Sequence, residues 1–120
     1  TKTDQLILVD YKATSKKGEV SLDAPWQISY KRQLEIYQWL FRKNGFDVQN
    51  IGYFVYCNGV KENVMFNNEL KFNVKLLPYK GDDSWIDKTI KEIYKVLNSD
   101  DIPEPNPNCE YCRYVKKANL

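Results

Sequence analysis

The sequence predicts an α/β (α+β) domain in which a mixed central sheet is flanked by two main helices. Three observations carry this. Two apolar runs without helical period, Leu6–Tyr11 and Ile51–Gly59, read as buried strands. Between them lies a stretch with clear helical spacing, and a second helical stretch follows an alternating strand. At 120 residues the chain fits one domain, 1–120, large enough to bury a core.

Taken in order, Leu6–Tyr11 is partly β-branched and is expected to be an interior strand covered on both faces. The polar stretch around Gly18, closed by Pro25, is a loop. From Trp26 to Asn44 the residues Tyr30, Leu34, Tyr37 and Phe41 repeat at four, three and four, the apolar stripe of an amphipathic helix. Gly45 suits its C-cap, and Arg42 and Lys43 suit the negative end of its dipole. Ile51–Gly59 forms a second strand ended by the turn pair Asn58-Gly59. One or two strands follow over 63–79, where Phe72, Val74 and Leu76 alternate with Lys71, Asn73 and Lys75 as on an edge strand with one wet face. A second helix is capped by Asp83 or Ser84, with Trp85, Ile86, Ile90, Ile93 and Leu97 as its buried stripe. Prolines in 101–108 end it, and a cysteine-containing tail, 109–120, closes the chain.

Composition excludes several function classes. No histidine is present, which removes Ser-His and Cys-His catalysis and every His-based metal site. No apolar run approaches the roughly 18 residues of a membrane span, and no signal-peptide pattern opens the chain. Three cysteines, an odd number, argue against a disulfide framework and for a reducing, cytoplasmic setting. A net charge of +2 does not by itself imply a nucleic-acid partner. The chain begins at Thr1, directly before a strand, which predicts a trimmed part of something longer.

The chemistry concentrates at the end of the first strand. Residues two apart on a strand point the same way, so Asp10 and Lys12 share a face and Tyr11 takes the other. A carboxylate is a hard oxygen ligand of the kind Mg²⁺ or Mn²⁺ takes, and a lysine one pleat further on can hold a water nucleophile or offset charge on a phosphate. Read alone, the pair is more simply a salt bridge where the strand leaves the core. Gln33 and Tyr37, four apart, stack one above the other on the first helix.

The succession VDYKAT, then about a score of residues, then QLEIY, with CEYCRY near the end, resembles the RecB-like branch of the PD-(D/E)XK nuclease superfamily. The resemblance implies a restriction-endonuclease-like core of which the first part is missing here. It makes Asp10 an acidic metal ligand with the Tyr11 backbone carbonyl beside it, and Lys12 the catalytic lysine. It places Gln33 and Tyr37 in the helical motif that faces the metal and positions Lys12. The activity implied is hydrolysis of a DNA phosphodiester by a metal-bound water, with Mg²⁺ or Mn²⁺, in DNA repair, recombination or mobile-element processing. A helicase or recombination subunit is the implied partner. The alternative is a catalytically inactive nuclease fold that binds DNA or acts as a scaffold.

Two features depart from that pattern. The family places an earlier carboxylate in a preceding strand, and here only Asp4 lies upstream, about 20 Å from Asp10 if both are on one strand. These 120 residues alone are therefore expected not to cleave. Iron–sulfur members of the branch carry three cysteines near the C-terminus, where this chain has Cys109 and Cys112. With Cys57 expected in the core, a closed zinc or iron–sulfur site cannot be built, so two thiols in a packed tail are expected and a cluster is left to the parent protein. Lys16 and Lys17 are the expected phosphate contacts, and Trp26 and Tyr114 the aromatics for stacking on bases. The sheet edge offers a route to a homo-oligomer.

Overall fold

The computed structural model describes residues 4–61 and 68–118 and divides the chain into two compact units, Thr1–Ile86 and Asp87–Leu120. The first unit contains a three-stranded mixed sheet of order β1-β2-β3, from Val9–Thr14, Ile51–Gly59 and Phe72–Lys80. β1 runs parallel to β2, with Asp10 opposite Phe54 and Lys12 opposite Tyr56. β3 returns antiparallel, with Leu77 opposite Phe54 and Tyr79 opposite Gly52. The predicted α+β class is the one observed. The predicted strand residues 63–67 lie outside the described residues.

A short 3-10 turn, Pro25–Gln27, leads into α1, Ile28–Lys43. The helix ends as its sequence predicts. Gly45 takes φ +86° and donates to the Arg42 carbonyl, Phe46 donates to the Phe41 carbonyl, and the rings of Phe41 and Phe46 meet at 5.5 Å. This is a Schellman cap with its hydrophobic contact, and only glycine adopts the left-handed backbone there without strain.

α1 lies across the sheet face that carries Asp10, Lys12, Gly52, Phe54 and Tyr56. Leu34 and Phe54 are fully buried at the centre. Gly52 makes the approach possible: a Cβ there would stand 2.8 Å from Leu34 Cδ2 and 3.0 Å from the Leu8 carbonyl oxygen. The buried side of α1 is offset from the apolar stripe. Leu34, Glu35 and Gln38 face inward, whereas Tyr37 and Phe41 are exposed. Most of the inward polar groups find partners, although Gln38 Oε1 is buried without one among the described residues. Glu35 accepts from the Tyr79 hydroxyl at 2.6 Å and Trp85 Nε1 at 2.8 Å, and Gln38 Nε2 donates to the carbonyls of Gln49 and Asn50. Arg42 pairs with Asp83 at 2.6 Å and reaches the Val48 carbonyl and Asn50.

Two expectations about burial need correction. β1 is not covered on both faces: Val9 and Tyr11 are exposed, as are Val74 and Leu76 on the same side of β3. Within the first unit α1 is laid on one face only, so the alternate residues of each strand stay open. Likewise Trp85 and Ile86 anchor the start of α2, Ile86–Leu97, but Ile90, Ile93 and Leu97 are exposed rather than buried. The tail contains a helix that the sequence reading did not predict, α3, Glu110–Lys117, capped by Cys109. Among the described residues no helix is long and apolar enough to cross a membrane.

Candidate active site

Asp10 and Lys12 alternate with the exposed residues of β1 and turn toward α1, as their spacing requires. Lys12 is the centre of the arrangement. Its Nζ lies 2.9 Å from Asp10 Oδ2, donates to Gln33 Oε1 at 2.7 Å, and sits 4.3 Å from the centre of the Tyr30 ring. Both charged side chains are largely shielded, with 15% and 17% of their surface exposed. Gln33 Nε2 in turn donates to the Tyr37 hydroxyl at 2.8 Å.

The direction of this chain follows from the donors available. An ammonium can only donate, so Gln33 must present its oxygen to Lys12 and its NH₂ to Tyr37. The Tyr37 oxygen accepts, which leaves its proton to point away, on a side chain that is 40% exposed. Four side chains from one strand and one helix thus form a continuous path, Asp10–Lys12–Gln33–Tyr37. The fold brings these four side chains into contact.

Asp10 carries a further signal. Its Oδ2 meets Lys12 as an ion pair without hydrogen-bond alignment, and it is a buried oxygen with no hydrogen-bond partner. A buried orphan oxygen costs free energy unless something engages it. The donor set fits a hard divalent cation through this one carboxylate, since Mg²⁺ commonly takes one or two protein carboxylates and completes its shell with water and phosphate. Among the described residues no group of three or more His, Cys, Asp or Glu side chains could hold a metal.

Tyr11 lies between the pair, opposite Val55 in the ladder, with its side chain on the open face. A hydrogen bond with the buried Cys57 thiol holds the Tyr11 phenol above its usual range. Cys57 is a core residue, as its strand position predicts. Trp26 is exposed and packs edge-on against Tyr30, ring centres 5.4 Å apart. Lys16 and Lys17 are exposed in the loop after β1.

Cys109, Cys112 and Tyr114 belong to the second unit. Cys109 Sγ accepts from the Cys112 backbone N–H at 3.4 Å, and that donor holds its thiol below the usual range. The bond between the two thiols raises that of Cys112. Both thiols are free and half-buried, and Tyr114 is exposed on α3.

Two residues of the site were not singled out from sequence. Tyr30 reads as part of the helix stripe, although its place three residues before Gln33 puts it on the same face. Asn58 reads as a turn residue but is buried, and its side chain accepts from the Lys16 N–H and donates to the Lys16 and Gly18 carbonyls. Nothing local marks it, since its partners are about 40 residues away.

A mixed sheet thus presents an acid and a lysine beneath a helix that carries a glutamine and a tyrosine. The model of the PD-(D/E)XK nuclease superfamily matches residues 1–116. The chain belongs to that superfamily. No curated protein and no solved structure matches it significantly.

Proposed function

We propose that this chain carries the Asp10 and Lys12 part of a RecB-like DNA nuclease centre, and that the parent protein hydrolyses phosphodiesters with Mg²⁺ or Mn²⁺. The observation that supports the reading most is the path Asp10–Lys12–Gln33–Tyr37, which ends at a buried carboxylate oxygen paired only with the Lys12 ammonium among the described residues. When bound, the metal would supply Lewis acidity and a more acidic water, with Asp10 and the Tyr11 carbonyl among its ligands. The protein's own part is positional. Asp10 would hold the cation, and the Lys12 side chain beside the reacting phosphate would orient the water and offset developing negative charge. Gln33 and the Tyr30 face fix the ammonium, and the Tyr37 hydroxyl donates its free proton toward the DNA backbone.

Lys16, Lys17, Trp26 and Tyr114 are proposed as nucleic-acid contacts, the lysines on phosphates and the rings on unpaired bases. A helicase or recombination subunit is the proposed partner, with self-association through an open edge of β1 or β3 as a further route. An iron–sulfur cluster at Cys109 and Cys112 would need ligands besides these two thiols. Asp10 alone makes a weak metal site, so a clean preparation of these 120 residues is expected not to cleave.

The test is cleavage of labelled DNA by the longest natural form that carries this sequence. Activity should require Mg²⁺ or Mn²⁺, vanish with chelator and be abolished by Lys12→Ala. Undiminished cleavage by that variant refutes the assignment. DNA binding by the wild type without cleavage under any divalent metal favours the inactive DNA-binding module.

A further inference from the structure

A cleft of about 460 Å³ opens where the loop after β1 meets the end of β2 and the start of β3. Its lining includes four lysines, Lys16, Lys17, Lys61 and Lys75, and one acid, Glu19. Glu19 is already engaged by Lys75 at 2.8 Å, which holds its carboxyl below the usual range. Three ammonium groups therefore line one hollow without an ion pair among the described residues. Like charges gathered this way repel each other, and an anion in the hollow relieves the repulsion.

The loop is held in place rather than free. Asn58, only 7% exposed, engages the Lys16 N–H, the Lys16 carbonyl and the Gly18 carbonyl, and Gly18 turns the chain at φ +83°. The Lys16–Lys17 backbone is thereby fixed to β2 before any ligand arrives, so less order remains to be imposed on binding. The cleft lies past the carboxyl ends of the parallel strands β1 and β2, the end at which open α/β sheets bind ligands. Lys16 is four residues after Lys12, so their Cα atoms are at most about 14 Å apart.

We infer that this cleft binds the phosphodiester backbone of the nucleic-acid strand on one side of the cleaved bond, with Lys61 joining Lys16 and Lys17 as a third phosphate contact. The inference rests on the nuclease reading for its substrate class and adds a strand path to it. Lysines grip phosphates as point charges and read no base edges, so the cleft contributes affinity without sequence preference.

The experiment is fluorescence anisotropy of a labelled oligothymidylate at several salt concentrations with chelator present. It compares the wild type, the cleft variant Lys16→Ala/Lys17→Ala/Lys61→Ala, and a control of equal charge, Lys88→Ala/Lys91→Ala/Lys95→Ala on α2. Thermal melts confirm that all three fold. At about 0.7 per phosphate contact on a single strand, the cleft variant should lose about 2 from the slope of log affinity against log salt. The α2 control should keep the wild-type slope, and pyrophosphate at equal phosphate concentration should compete poorly. Equal slopes for the two triple variants overturn the cleft, even if the protein is a nuclease. Efficient displacement by pyrophosphate overturns the strand in favour of a free phosphate compound. A slope difference in a protein that never cleaves keeps the cleft and removes the nuclease reading.

Discussion

Lys12 is held from three directions, by a carboxylate, an amide oxygen and an aromatic face, and each support has its own signature. Gln33→Ala should lower DNA cleavage by about 10²-fold, the order of loss expected when a reacting group is misplaced by about 1 Å. Tyr30→Leu should cost less, roughly 0.5–1 kcal/mol of transition-state stabilisation, while Tyr30→Phe, which keeps the ring, stays near wild type. Single-turnover rates separate the two, and equal losses for Leu and Phe would remove the cation–π role. In the second unit, Cys109 holds its thiolate more readily than Cys112. Iodoacetamide near neutral pH should label Cys109 first, and mass spectrometry of the peptides reads the order. The residues that could be read from sequence, Asp10, Lys12, Gln33 and Tyr37, are those whose relation is local: two apart on a strand or four apart on a helix. Asn58 was not legible because its hydrogen bonds are fixed only when β2 meets the loop after β1.

For the elements, helix α1 and the sheet fit together through one missing side chain. Gly52→Ala forces Leu34 or the Leu8 backbone to move and should destabilise the fold by about 1–3 kcal/mol, measured by urea denaturation. The middle of α1 is tied to the sheet through Glu35 and Tyr79. Burial, and then the Glu35 carboxylate, push the Tyr79 phenol from its ordinary value near 10 up to about 12. The folded state thus holds this proton more tightly than the unfolded chain does. Its contribution to stability is whole below pH 10 and fades as pH rises toward 12. Tyr79→Phe removes the titration, so the stability gap between wild type and variant should shrink over that interval. A gap that stays constant would contradict the linkage. The limits of β2 and the end of α1 were legible from an apolar run and from the Gly45 cap, but β1, expected over Leu6–Tyr11, runs Val9–Thr14, and the buried side of α1 was not legible. It is set by Glu35, Gln38 and Arg42, polar residues whose partners lie on β3 and the loops around it, so an apolar stripe could not reveal it.

For the whole molecule, the α+β class followed from the order of periodic and aperiodic apolar segments, and superfamily membership rests on a match over residues 1–116. The open sheet face at Val9, Tyr11, Val74 and Leu76 and the exposed stripe of α2 were not foreseen, because an apolar pattern shows which residues gain by burial and not which unit supplies the cover. The central claim is that Asp10 and Lys12 form a metal-dependent nuclease centre, and Asp10 is its most exacting point. The decisive measurement is the Mn²⁺-dependent cleavage rate of Asp10→Asn beside wild type, in the longest natural form that carries this sequence. A loss of about 10²–10⁴-fold is expected, with folding and DNA binding retained. Cleavage by Asp10→Asn at the wild-type rate would contradict it.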